Sequence, residues 1–156
     1  MEIYTEKAPV TSSAFLENVQ NKLYDEGSFY RVLRAEDDPA TSFNPGLVQG
    51  GIHLNPGKAK PAFIPHEPTS VSGLSHTNGI VSMARTDTGT ASSEFFICID
   101  DQSPLDHGRR GTRDSMGMAA FGKVIKGMDV VKRIQSGELN GDQLAEPVKI
   151  ISAKQL

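Results

Sequence analysis

The side chains that could carry chemistry are few. Four histidines, His53, His66, His76 and His107, are spread so that none lies three or four residues from another, and no cysteine pair accompanies them. The spacing of a bound metal is therefore missing. The stretch "HEP" at His66 to Pro68 does not open a zinc-protease helix, because no second histidine follows at helical spacing and the proline obstructs that helix. Ser92 and Ser93 lead into a strand-like run without a G-x-S-x-G elbow, so hydrolysis is a distant reading. Asp106 to Gly117, "DHGRRGTRDSMG", gathers arginines among glycines but lacks the G-K-[ST] ending of a phosphate loop and carries Asp106 and Asp114; it reads as a solvated loop. The single cysteine, Cys98, sits in "FFICI" and reads as a buried small hydrophobe. Two polar groups remain among apolar neighbours: Arg31 in "FYRVL" and Gln49 in "LVQGG". Strand alternation alone puts Arg31 on the face opposite Tyr30 and Val32, as an ordinary outward arginine.

The elements that must position these residues are mostly strands. "EIYT", "FYRVL", "GLVQGG", "GIVSMAR", "EFFICID", "MAAFGKVI" and "VKIISAKQL" are short apolar or alternating runs separated by Gly, Asn, Pro and Asp. Two helices are expected. The first lies in "APVTSSAFLENVQNKLYDEG", with the stripe Phe15, Leu16, Val19 and Leu23 behind a hydroxyl N-cap; the second is "GMDVVKRIQSG" with Met128, Val131 and Ile134. Many short strands with long irregular connections favour an all-β barrel, because closure removes exposed edges. The connections Arg34–Pro45, Leu54–His76 and Pro104–Gly117 are long, and long loops on a rigid scaffold usually carry function.

With 156 residues the chain has the length of one domain, residues 1–156. A net charge of -3 and 22% charged residues show no electrostatic preference for nucleic acid. No stretch reaches the roughly 18 apolar residues of a membrane span, and the first residues lack the basic-then-apolar pattern of a secretory signal. A cytoplasmic placement is expected, the periplasm being the alternative for a chain preceded by a signal segment. "EIYT" alternates from the outset, like the interior of an element, so an upstream natural start is expected.

Taken together, "FYRV", "QGG", "GIVSMAR", "SSEFFICI", "PLD" and "AAFGKVIKGMDVV" occur in an order that resembles the cyclophilins, peptidyl-prolyl cis-trans isomerases, over almost the whole chain. "APVTSSAFL" is similar to their first helix. The resemblance implies a closed eight-stranded antiparallel barrel with a helix at each end, its first strand missing from this chain. It implies that Arg31 is the catalytic arginine and Gln49 the glutamine of the substrate groove. Phe96 would floor the proline pocket, with Leu105 and Leu47 as its walls, and Ala84, Arg85 and Thr86 would meet the peptide backbone. No cofactor or metal is implied.

Several positions depart from the better-known eukaryotic pattern. Gly46 stands where an aromatic is usual, leaving a wall for Phe43 to supply. Glu94 replaces a glutamine and is expected to hold Arg31 by a charge-assisted bond. Pro104 replaces the tryptophan that favours cyclosporin, so weak binding of that drug is expected. Met118 replaces a histidine of the groove, and the insertions after "FYRV" and "LD" resemble a bacterial subgroup. The implied partners are proline-containing peptides and folding proteins, met by a monomer without nucleic acid or membrane. The competing class is a proline-peptide binding module or chaperone whose catalysis has weakened.

Overall fold

The computed structural model describes residues 1–34 and 46–156. Its strands are β1 (Glu2–Ile3), β2 (Ser28–Leu33), β3 (Leu47–Gly51), β4 (Ile80–Met83), β5 (Phe95–Cys98), β6 (Ala119–Lys123), β7 (Leu139–Asn140) and β8 (Gln143–Lys149). They form one antiparallel sheet in the order β1-β6-β4-β5-β3-β2-β8-β7. The helices are α1 (Pro9–Gln20), the single turn α2 (Thr69–Ser72) and α3 (Met128–Gln135), and a 3-10 turn spans Ser103–Leu105.

β4 and β5 are buried along their whole length, which suits their mostly apolar character, Ser82 being the polar exception. One face of the sheet packs on α1 through an aromatic cluster. Phe15 lies 4.8 Å from Phe121, 5.1 Å from Tyr24 and 5.6 Å from Phe95, ring centre to ring centre, the last edge-on. The other face of β3 and β5 carries Gln49 and Phe96.

Three expectations from sequence need correction. The first helix begins at Pro9 without a hydroxyl cap; instead the buried carboxylate of Glu67, from the "HEP" stretch, accepts the amides of Val10 (3.3 Å) and Thr11 (3.0 Å). A remote anion at the positive helix end replaces the local cap, which no local pattern can reveal. The final strand ends at Lys149, and most of "VKIISAKQL" lies beyond it; Leu139–Lys149 forms an additional hairpin whose two-residue loop is Gly141-Asp142. Gly141 has φ +67°, the left-handed conformation that a hairpin loop with glycine first requires. Lastly, α2 adds a helical turn to the two helices expected.

Eight antiparallel strands are present, but among the described residues no pair joins the edge strands β1 and β7 to close the sheet. β1 is separated from the C-terminal segment by a cavity of about 520 Å³ lined by Phe15, Val19, Tyr24, Phe29 and Phe95.

Candidate active site

Arg31 and Gln49 are brought together by strand register. On β2 and β3 they are direct partners, and Gln49 is in turn opposite Phe96 on β5, which is opposite Ser82 on β4. Residues on one rung of a sheet project to the same face, so Arg31, Gln49 and Phe96 share a surface. The register of β2 shifts between Phe29 and Arg31, a bulge at Tyr30. A bulge re-aims a side chain. Here two consecutive residues both address Gln49: Arg31 Nη1 donates to its Oε1 (3.1 Å), and its Nε2 donates to the Tyr30 hydroxyl (2.8 Å). Simple alternation, which made Arg31 an outward residue, does not include that bulge.

Glu94 does not hold Arg31. Its Oε2 accepts the Tyr30 hydroxyl at 2.8 Å, while Oε1 accepts the Ile52 amide and the Ser93 hydroxyl, each at 3.0 Å. Gly51 makes room for this carboxylate, since a Cβ there would stand 2.5 Å from Glu94 Cδ. Burial first, then the neighbouring charge of Glu94, pushes the Tyr30 phenol far up, so it remains a protonated donor. Arg31 meets a carboxylate from elsewhere: its Nε donates to Asp142 Oδ2 at 2.6 Å, with the two side chains 33% and 42% exposed. The Arg31 guanidinium holds the Asp142 carboxyl below its usual value. Tyr30 and Asp142 are the residues missed from sequence. The Asn-Gly pair before Asp142 is the available hairpin signal.

The apolar side of the site is built by a second chain of contacts. The His76 ring lies nearly parallel to that of Phe96, 6.1 Å away. Fully buried, His76 is bonded through Nδ1 to Asp106 (2.6 Å) and through Nε2 to Ser82 (3.0 Å). Ser75 donates a further bond of 2.5 Å to Asp106. Burial raises the Asp106 carboxyl, but the bonds from His76 and Ser75 outweigh it and the net shift is downward. Asp106 follows Leu105, whose carbonyl accepts the Met118 amide at 2.9 Å. Phe96 and Leu105 are only 2% and 3% exposed, packed like an interior. Arg31, Gln49, Ala84, Arg85 and Met118 are half-buried, Thr86 is exposed, and Leu47, two residues from Gln49 on β3, is buried.

Arg85 turns its guanidinium away from the strands. It is bidentate to Asp114 (2.8 and 2.9 Å) and donates to the Gly117 carbonyl, pinning the long loop after Asp106. Arg85 first, with Thr88 and the Met116 amide, holds the Asp114 carboxyl well below the usual carboxylate range. The arginine-rich stretch is thus tied down by its acidic residue, as a structural loop. Phe43 lies outside the described residues.

A family model for cyclophilin type peptidyl-prolyl cis-trans isomerase/CLD matches the chain over residues 1–155. The chain belongs to this cyclophilin family. A peptidyl-prolyl cis-trans isomerase of Acinetobacter baylyi is 34% identical, across 99% of this chain and 78% of that protein. Peptidyl-prolyl cis-trans isomerase A of Dickeya dadantii is 35% identical, across 96% and 74%. The fold of a Cryptosporidium parvum cyclophilin type isomerase, crystallised in the presence of the dipeptide Ala-Pro, superposes with a TM-score of 0.74 at 19% identity, covering 97% of this chain and 87% of that one. The cyclophilin domain described above is therefore an isomerase, with the barrel-like sheet of that family. Its Gly46 lies close against backbone: a Cβ there would stand 3.0 Å from the Ile99 carbonyl oxygen, so a larger residue requires that neighbour to shift slightly.

Proposed function

We propose that this cyclophilin turns Xaa-Pro bonds in peptides and folding proteins by stabilising the twisted imide with Arg31, without a covalent intermediate. The imide resists rotation because nitrogen donates its lone pair to the carbonyl, giving a barrier of about 18–20 kcal/mol. Acceleration of roughly 10⁴–10⁵-fold requires about 6 kcal/mol, and one charge-assisted bond supplies only about 1.5–3 kcal/mol. Arg31 therefore needs help. As the bond twists, conjugation is lost and nitrogen becomes a basic, pyramidal acceptor, so a guanidinium beside it binds the twisted state better than either planar one. Phe96, Leu105 and Leu47 would take the proline ring and exclude water, with Met118 at the rim. Gln49 and the backbone of Ala84, Arg85 and Thr86 would hold the flanking peptide while the other side rotates.

The observation that supports this reading most is the shared rung of Arg31, Gln49 and Phe96, a tethered cation and an aromatic ring on one face of the sheet. The Ala-Pro dipeptide named with the Cryptosporidium parvum relative agrees with a proline-containing substrate. The same reading includes a monomer in the cytoplasm and weak cyclosporin binding, the last from Pro104 in the 3-10 turn.

The test is Arg31→Ala, assayed by NMR exchange on a short Xaa-Pro peptide without a coupling protease. Most of the acceleration should vanish while the spectrum of the fold persists. A near-native exchange rate in that variant would overturn the assignment.

A further inference from the structure

We infer that Asp142 is a positioning residue of the isomerase, fixing the plane of the Arg31 guanidinium from the side opposite Gln49; this rests on the assignment of Arg31 above. Nε is engaged by Asp142 Oδ2 at 2.6 Å and Nη1 by Gln49 Oε1 at 3.1 Å. Two anchors on different nitrogens fix both the position and the rotation of a planar group, where one would leave it free to swing. Among the described residues Arg31 donates hydrogen bonds through Nε and Nη1.

Asp142 is itself held. Its second oxygen, Oδ1, accepts from Gln143 Nε2 at 3.1 Å, and its carbonyl accepts the Val32 amide at 2.9 Å, one residue beyond Arg31. Gln143 is the β8 partner of Arg31, and Gln143 also pairs with Asn140 across the two-residue loop. The carboxylate is thus carried by the loop that opens β8, the strand paired with the β2 that carries the arginine it holds. An ion pair this exposed contributes little to global stability. Its effect falls on orientation, which matters because a catalytic group displaced by about 1 Å can lose on the order of 10²-fold in rate.

The experiment compares kcat and KM, by peptide NMR exchange, for the full chain and for Asp142→Ala, Asp142→Asn, Arg31→Ala and the Arg31→Ala/Asp142→Ala double variant. Asp142→Ala should lower kcat by roughly 10- to 100-fold with KM nearly unchanged. Asp142→Asn, which keeps an acceptor oxygen, should recover part of that loss, and Asp142→Ala should cost nothing further once Arg31 is gone. The Nε–H resonance of Arg31, assigned by its disappearance in Arg31→Ala, should be protected from exchange in the native protein and lose protection in Asp142→Ala. A native kcat in Asp142→Ala, a retained Nε–H signature, or an equal loss on the Arg31→Ala background would each overturn the positioning role. If instead Arg31→Ala itself keeps the native rate, the assignment of Arg31 fails and the role of Asp142 falls with it, an outcome distinct from the other three.

Discussion

Tyr30→Phe isolates one hydroxyl in the site. The ring is buried and stacked on His53 at 5.2 Å, and phenylalanine keeps both the volume and the stack, so no sizeable cavity forms. Two hydrogen bonds are removed. The one to Glu94 is charge-assisted, and such bonds contribute about 1.5–3 kcal/mol. Glu94 keeps the Ile52 amide and the Ser93 hydroxyl on its other oxygen, which places the loss toward the low end. The one from Gln49 adds only about 0.5 kcal/mol, because that half-buried side chain can turn to water. A total of about 2–3 kcal/mol is expected, or roughly 4–12 °C in Tm for a chain of this length. Urea unfolding should show a lower midpoint at an unchanged slope. With Glu94→Gln in the background the bond becomes neutral, and the Tyr30→Phe loss should fall to about 1 kcal/mol. Isomerase activity should fall as well, because Gln49, once free to turn to water, no longer steadies Arg31 Nη1. A loss below about 0.5 kcal/mol, or the same loss in both backgrounds, would refute the claim that Tyr30 and Glu94 hold each other.

Phe15→Ala opens the aromatic cluster under α1 and should cost about 3–5 kcal/mol in urea unfolding. Asp106 makes stability depend on acid. Its folded value lies below the ordinary 3.8, so its contribution is complete above that value and is lost as pH falls through the folded one. Asp106→Asn should therefore flatten part of the acid limb in unfolding free energy measured against pH; an unchanged limb would remove His76 and Ser75 as its cause.

The strands β2 to β6 and the two longer helices are legible from alternation and helical spacing, and Arg31, Gln49, Phe96 and Leu105 from the ordered cyclophilin motifs. What stayed hidden depends on contacts between segments distant in sequence. The cyclophilin resemblance implied that Glu94 would grip Arg31, yet the bulge at Tyr30 places a phenol before it instead. Asp142 escaped notice because β7 is two residues long, too short for any period to register. Glu67 capping α1 is a bond across 56 positions and leaves no local trace. The near-complete burial of Phe96 and Leu105 depends on how loops cover a face, which strand patterns do not encode.

The rung through Arg31, Gln49 and Phe96 also says when the site can exist. It joins β2, β3 and β5, and it is completed by the bond from Arg31 to Asp142, which spans 111 positions. Such pairings bear the full entropy of loop closure before any local gain rewards them. The guanidinium therefore acquires its orientation only as the outermost hairpin docks, and helix and turn signals should recover during refolding before catalysis does.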